Sequence, residues 1–302
     1  MANSNEIQKA AEILRAGGLV VFPTETVYGL GANALDPAAV RKIYALKGRP
    51  PASPLIVHVS GVEQAREFAA DWPEAAERLA REYWPGPLTL VVPKKGAIPN
   101  EVTAGLNTVG LRVPRHPVAL ELLRAAVIPI AAPSANRFTQ LSPTTAQHAR
   151  EAFGEETPFL LDGGPCEIGL ESTVIAVTRD GLEVLRPGMA FVEEAVARGE
   201  GGQGSHRSPG QHNRHYSPRT RVLLVSNGHL PREGRGAYLW ITRESAAARV
   251  LQMPARPDAY AAALYGQLHE LDREGLDWIA VEFPPETPAW AAIRDRLTRA
   301  AY

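Results

Sequence analysis

The sequence predicts an α/β protein in two parts: a large domain whose mixed sheet is flanked by helices, then a smaller α/β unit. Three observations carry this. Short apolar runs bounded by turn residues alternate with helix-period segments through residues 7–190. Several of those runs follow one another with no room for a crossover helix, so the sheet mixes parallel and antiparallel pairs. The segment 197–220, ARGEGGQGSHRSPGQHNRHYSPRT, then breaks the pattern with Gly, Ser, His and Arg before it resumes.

In chain order, Ile7, Ala10, Ala11 and Leu14 recur at helical spacing, and Gly17-Gly18 stops that helix. LVVF (19–22) is strand-like. Asp36-Pro37 caps and starts a helix that aligns Val40, Ile43, Tyr44 and Leu46. Strands are predicted at 54–59, 88–92, 108–113, 128–132, 158–162, 172–177 and 182–185, with helices near 62–70, 74–83, 117–125 and 144–153. Beyond the polar segment, 221–225, 236–241 and 277–283 read as strands around a helix over 258–272. The predicted division is 1–197, a linker at 198–220, and 221–302.

Composition removes several function classes. The chain is 45% hydrophobic and 22% charged, a globular balance, and its formal net charge is −1. No overall positive field recruits nucleic acid, so an anionic ligand needs a local cluster of Arg and Lys. The single cysteine, Cys166, excludes an intramolecular disulfide and a multi-cysteine metal site, and fits a reducing cytosol. The N-terminus lacks signal-peptide character, and the apolar runs are too short to span a bilayer. A cytoplasmic protein without membrane association is expected. There is no P-loop, dinucleotide fingerprint, HExxH, G-x-S-x-G or kinase signature. His212 and His215 have no partners at zinc spacing, so no metal site is assigned.

The remaining signals are polar loops at strand ends. PTETVYGLGANA (23–34) disfavours both helix and continued strand; it is either a ligand loop using Thr24, Thr26, Gly29 and Gly31, or a tight turn with capping threonines. In KGRPPASPL (47–55), Lys47 and Arg49 suit phosphate oxygens, or form a solvated basic turn. His58 sits in an apolar strand, where a histidine is more often a satisfied structural residue. Arg112, also in an apolar strand, requires an anion: a structural carboxylate or a ligand. APSANRFTQLSP (132–143) adds Ser134, Asn136 and Ser142; the segments at 161–175 and 184–188 add Ser172, Thr173 and Arg186.

In this order, PTETVYGLG, KGRP…PLIVH, WPGPLTLV, GLRVPRHP, APSAN, GLEST and LRPG resemble the Sua5/YrdC/YciO family, and SPGQHNRHYSP (208–218) is similar to the linker of its two-domain Sua5 type. The resemblance implies a YrdC-like domain with a twisted mixed sheet and a Rossmann-like C-terminal domain. It implies a nucleotidyltransferase that condenses L-threonine, bicarbonate or CO2, and ATP to threonylcarbamoyl-AMP and pyrophosphate. Proteins that transfer the threonylcarbamoyl group to adenosine 37 of tRNA are the implied downstream partners, and weak RNA binding is the rival role. Carried over by motif, Thr26, His58, Arg112, Ala132 and Ser172 would hold threonine. Lys47, Arg49, Ser53, Thr108, Ser134, Ser142 and Arg186 would hold ATP, with Asn213, His215 or Tyr216 closing from the linker as a lid. Lys47 and Arg49 would act in catalysis, and Mg²⁺ would ride mainly on the phosphates.

Overall fold

The computed structural model describes residues 2–197, 215–226 and 228–301. Local chemistry starts the chain as expected: α1 (Ser4–Arg15) opens on a reciprocal capping box between Asn3 and Glu6 and buries Ile7, Ala10, Ala11 and Leu14. After β1 (Val20–Phe22) and β2 (Gly29–Asn33), Asp36 accepts from the Ala38 amide and Pro37 opens α2 (Pro37–Lys47). Gly48, at φ 64, ends α2 in the left-handed conformation.

There follow β3 (Ile56–His58), α3 (Val62–Phe68), α4 (Glu74–Tyr83), β4 (Leu88–Pro93), α5 (Asn100–Thr103), β5 (Thr108–Arg112), α6 (Pro117–Ala126), β6 (Ile130–Ala131), α7 (Ala146–Phe153), β7 (Phe159–Leu160), β8 (Thr173–Thr178), β9 (Gly181–Arg186) and β10 (Val196–Ala197). All ten strands join one mixed sheet in the order β10-β9-β8-β4-β5-β3-β6-β2-β1-β7. Alternation divides its apolar residues. Val21, Val57, Leu90 and Leu111 face one buried cluster, whereas Val20, Phe22 and Ile130 pack with Ile7, Leu14 and Leu122 of α1 and α6. At the centre, β3 and β5 run parallel with His58 opposite Arg112, which brings two polar residues from distant parts of the chain side by side.

The smaller unit holds β11 (Arg221–Val225), β12 (Gly236–Trp240), β13 (Arg249–Gln252), α8 (Pro257–Asp272), β14 (Trp278–Glu282) and α9 (Ala291–Ala300). Its four strands are all parallel, in the order β11-β14-β12-β13. The two units share an apolar cluster: Val27, Leu141 and Leu170 pack with Tyr216, Leu264, Tyr265 and Leu297. Gly169 makes that approach possible. Its φ is +77, and a Cβ there would lie 2.6 Å from the Ala261 carbonyl oxygen of α8.

The main correction concerns residues 23–34. Read as loop throughout, the segment contains strand β2, paired antiparallel with β1 and β6. Its glycines are explained by packing: a Cβ on Gly31 would come within 2.9 Å of the Phe22 ring and 2.8 Å of Ile130. Strands β10 and β13 and helices α5 and α9 were also unpredicted. Among the described residues, no helix is long and apolar enough to cross a membrane.

Candidate active site

Ten of the expected residues line one hollow with a cavity of about 50 Å³: Thr26, Arg49, His58, Arg112, Ala132, Ser134, Ser172, Arg186, His215 and Tyr216. They come from the β1–β2 turn, the α2–β3 loop, the ends of β3, β5, β6 and β9, the start of β8 and the last part of the linker. Thr24, Val27, Gly29, Ile56, Pro133 and Glu171 complete the wall.

At one side stands Arg112, buried in β5. Its Nη2 donates to Glu25 Oε1 at 2.7 Å and to Thr26 Oγ1 at 2.9 Å, and its Nε donates to the Gly86 carbonyl at 3.2 Å. The structural carboxylate expected for this arginine is Glu25, and the side chain also lines the hollow. Nη1 makes no hydrogen bond among the described residues. Burial alone would raise the Glu25 carboxyl, but the charge and hydrogen bond of Arg112 hold it below the usual carboxylate range. Thr24 serves the turn: its hydroxyl donates to the Val27 carbonyl at 2.6 Å and accepts from the Val27 amide at 3.2 Å. His58 is buried and stands edge-on to Phe22, with ring centroids 5.8 Å apart. Burial, then the Arg112 charge, pushes it down to about 3, so the ring is neutral at ordinary pH. Its Nδ1 is buried with no hydrogen-bond partner among the described residues.

Arg49 and Arg186 line the same hollow, near enough for their charges to interact. Arg49 Nη2 donates to the Pro54 carbonyl at 3.1 Å, and its guanidinium lies over Phe138 at 5.9 Å. Burial lowers it to about 10, which leaves it charged at neutral pH. Arg186 donates from Nη2 to the Ser172 carbonyl at 2.9 Å and hydroxyl at 3.1 Å. Ser172 Oγ also meets Thr89 Oγ1 at 2.8 Å.

Four expected residues stand outside this wall. Lys47 is buried behind it, with Nζ bonded to the carbonyls of Ser134, at 2.6 Å, and Asn136. It braces the 134–136 loop, and burial pushes its ammonium well below the ordinary lysine range. The solvated-turn reading of Lys47 and Arg49 is thereby excluded, since both are buried. Ser142 donates to Glu171 at 2.5 Å, and Ser53 is buried on the α2–β3 loop, its carbonyl accepting from Tyr44 at 3.0 Å. Thr108 opens β5 beside a separate apolar crevice with Ile56 and Val91. Asn213 lies outside the described residues, as does most of the expected lid.

Two carboxylates escaped selection from sequence. Glu25 and Glu171 sit inside recognised motifs but lie beside the threonine and serine that drew attention. Glu171 accepts from Arg296 Nε at 2.7 Å and from Tyr265 at 3.3 Å, both on the C-terminal unit. With Glu25 and Glu171 each bound to an arginine, the hollow keeps surplus guanidinium charge. Among the described residues, no serine hydroxyl of the hollow donates to His58 Nδ1, which is buried without a partner. Such a wall can bind, neutralise and align anions, and leaves the attacking atom to a ligand.

Residues 12–188 match a family model covering Sua5, YciO and YrdC proteins, described as telomere recombination. Residues 177–302 match the C-terminal domain of threonylcarbamoyl-AMP synthase. The chain belongs to the Sua5/YciO/YrdC family. Within that family it is 39% identical to the threonylcarbamoyl-AMP synthase of Pyrococcus abyssi, across 98% of this chain and 94% of the relative. The Bacillus subtilis threonylcarbamoyl-AMP synthase is 40% identical across 99% and 94%. The crystal structure of P. abyssi Sua5 complexed with L-threonine superposes with a TM-score of 0.90 at 38% identity, covering 98% of this chain and 94% of that one. Escherichia coli YciO shares the fold of the larger part alone, with a TM-score of 0.56 at 24% identity over 64% of this chain. The Sua5 likeness therefore spans both units.

Proposed function

We propose that this chain is a nucleotidyltransferase that joins L-threonine, bicarbonate or CO2, and ATP into threonylcarbamoyl-AMP and pyrophosphate, for threonylcarbamoylation of adenosine 37 in tRNA. One observation carries the reading. Arg112, Thr26 and His58 share a single buried hollow with Arg49 and Arg186, in a chain similar along nearly its whole length to a Sua5 protein solved with L-threonine.

Threonine's amine adds to CO2, loses a proton and becomes a carbamate. A carbamate oxygen then attacks the α-phosphorus of ATP; the O–Pα bond forms as the bond from Pα to the bridging oxygen breaks, and pyrophosphate leaves with that electron pair. The nucleophile belongs to the substrate, so the protein's task is alignment and charge neutralisation. Arg112 receives the threonine carboxylate, beside Thr26, Ala132 and Ser172. Neutral His58 faces the amine or hydroxyl as a hydrogen-bond partner. Arg49, Ser134 and Arg186 meet the phosphates, while Lys47 carries its charge to them from behind the 134–136 loop; Ser53, Thr108 and Ser142 shape the nucleotide side. His215 and Tyr216, with Asn213 before them, bound that side from the linker.

Mg²⁺ would enter on the triphosphate. Among the described residues no group of three or more His, Cys, Asp or Glu is arranged to hold a metal, and Glu171 is committed to Arg296. Residues 1–197 thus do the chemistry and 221–302 support it across the 198–220 linker, in the cytoplasm where the tRNA-modifying partners act.

The test is pyrophosphate release with threonine, bicarbonate and ATP each omitted in turn, with mass detection of threonylcarbamoyl-AMP. Release requiring all three is expected; release independent of threonine overturns the reading.

A further inference from the structure

Arg296 of α9 brings a positive charge from the C-terminal unit to the wall of the hollow, beside the Tyr265 hydroxyl on the same carboxylate. Arg296 of α9 is 1% exposed. Its Nε meets Glu171 Oε2 at 2.7 Å, its Nη2 donates to the Pro187 carbonyl at 3.0 Å, and its guanidinium carbon lies 5.0 Å from the centre of the Tyr216 ring. The remaining nitrogen, Nη1, meets Asp295 at 2.6 Å. Each contact outside α9 is a piece of the wall or its chain neighbour: Glu171 precedes Ser172, Pro187 follows Arg186, and Tyr216 lines the hollow itself. Three segments far apart in sequence converge on one planar fork.

Stability alone does not call for an arginine here. Replacing a buried ion pair by apolar side chains is often neutral or favourable, and neighbouring Ile293 and Leu297 already pack α9 apolarly. A guanidinium adds fixed geometry toward several acceptors at once, and charge. The charge matters because Glu171 also borders Arg186, and an uncompensated carboxylate there would compete with phosphate oxygens for the cations of the hollow.

We propose that Arg296 is a positioning residue for the nucleotide. Supplied by the C-terminal unit, it neutralises Glu171 and fixes Tyr216 and the 186–188 turn, so the phosphate side is complete only when that unit is docked. The inference rests on the function proposed above and assigns the C-terminal unit a part in it.

The experiment uses the full chain and compares Arg296→Met, Arg296→Lys and Arg296→Met/Glu171→Gln with the parent. For Arg296→Met, loss of one partner of a buried pair raises KM for ATP by about tenfold or more, with KM for threonine moved less than about threefold. Arg296→Lys, which keeps charge without the fork, falls between parent and Met and serves if Met folds poorly. The double variant recovers much of the ATP KM, because the stranded charge is gone; a purely structural role predicts no such rescue. Hydrogen exchange at the Ser217 amide, which donates to the Thr139 carbonyl at 2.9 Å, supplies a readout independent of turnover. It accelerates in Arg296→Met while β4 stays protected. An unchanged ATP KM, equal loss toward both substrates, or no rescue by the double variant overturns the proposal. If the parent makes no threonylcarbamoyl-AMP, the proposed function falls, and unchanged Ser217 exchange would remove the positioning role as well; if the parent is active and Arg296→Met matches it, only the positioning role falls.

Discussion

Arg112 carries the site's most demanding electrostatics. A guanidinium this deep requires an anion, and Glu25 supplies one with a hydrogen bond from the Arg115 amide at 3.0 Å holding its other oxygen. Arg112→Ala strands that carboxylate as well as removing the proposed threonine contact. KM for threonine is expected to rise by about a hundredfold or more, with lower thermal stability; threonine titration of the purified variant checks it. His58 gives a pH-dependent outcome. Its folded pKa, about 3, lies below the unfolded value, so the unfolded chain binds the extra proton and stability falls as pH drops below about 6.5. His58→Gln should flatten the fall in melting temperature between about pH 6 and 4. Arginine in an apolar strand was legible as needing a partner. Which partner was not, because Glu25 lies 87 residues away and meets it only when the β1–β2 turn folds over β5.

At the scale of elements, capping and periodicity were readable where they depend on near neighbours: Asp36-Pro37 starts α2, and α1 buries the four residues that spacing selects. Strand β2 was not, since glycine content argues locally against a strand. Here glycine is required because β2 lies close against Phe22 and Ile130. Gly31→Ala is therefore expected to destabilise by about 1–3 kcal/mol through overpacking. Urea unfolding measures this, and an unchanged midpoint would place the constraint elsewhere. Lys47 teaches a related lesson. Sequence presents it with Arg49 as a phosphate pair, whereas the fold spends its hydrogen bonds on two loop carbonyls. Lys47→Met should accordingly lower stability as well as turnover, whereas a direct phosphate contact alone would leave the melting temperature unmoved.

Across the whole molecule, the two units are joined by apolar packing and by a buried ion pair, with Val27, Leu141 and Leu170 set into the C-terminal cluster. One cooperative unfolding transition is expected, coincident by tryptophan fluorescence and circular dichroism. Gly169→Ala should uncouple it, because a Cβ there collides with the α8 backbone at a left-handed φ. Two separated transitions, with retained secondary structure, are the expected signature; a single unshifted transition would show that the interface tolerates the methyl group.

By itself the sequence determined the two-part α/β plan, the mixed character of the large sheet, and the family, because these follow from periodicity, turn chemistry and motifs written within a few residues of one another. Only the tertiary structure decided which side chains share the hollow. It set His58 beside Arg112 through strand register, drew Lys47 behind the wall, and brought Arg296 onto Glu171 from 125 residues away. Charge neutralisation acts through space over a few ångströms, and no local pattern in a chain records which distant groups the fold will bring within that range.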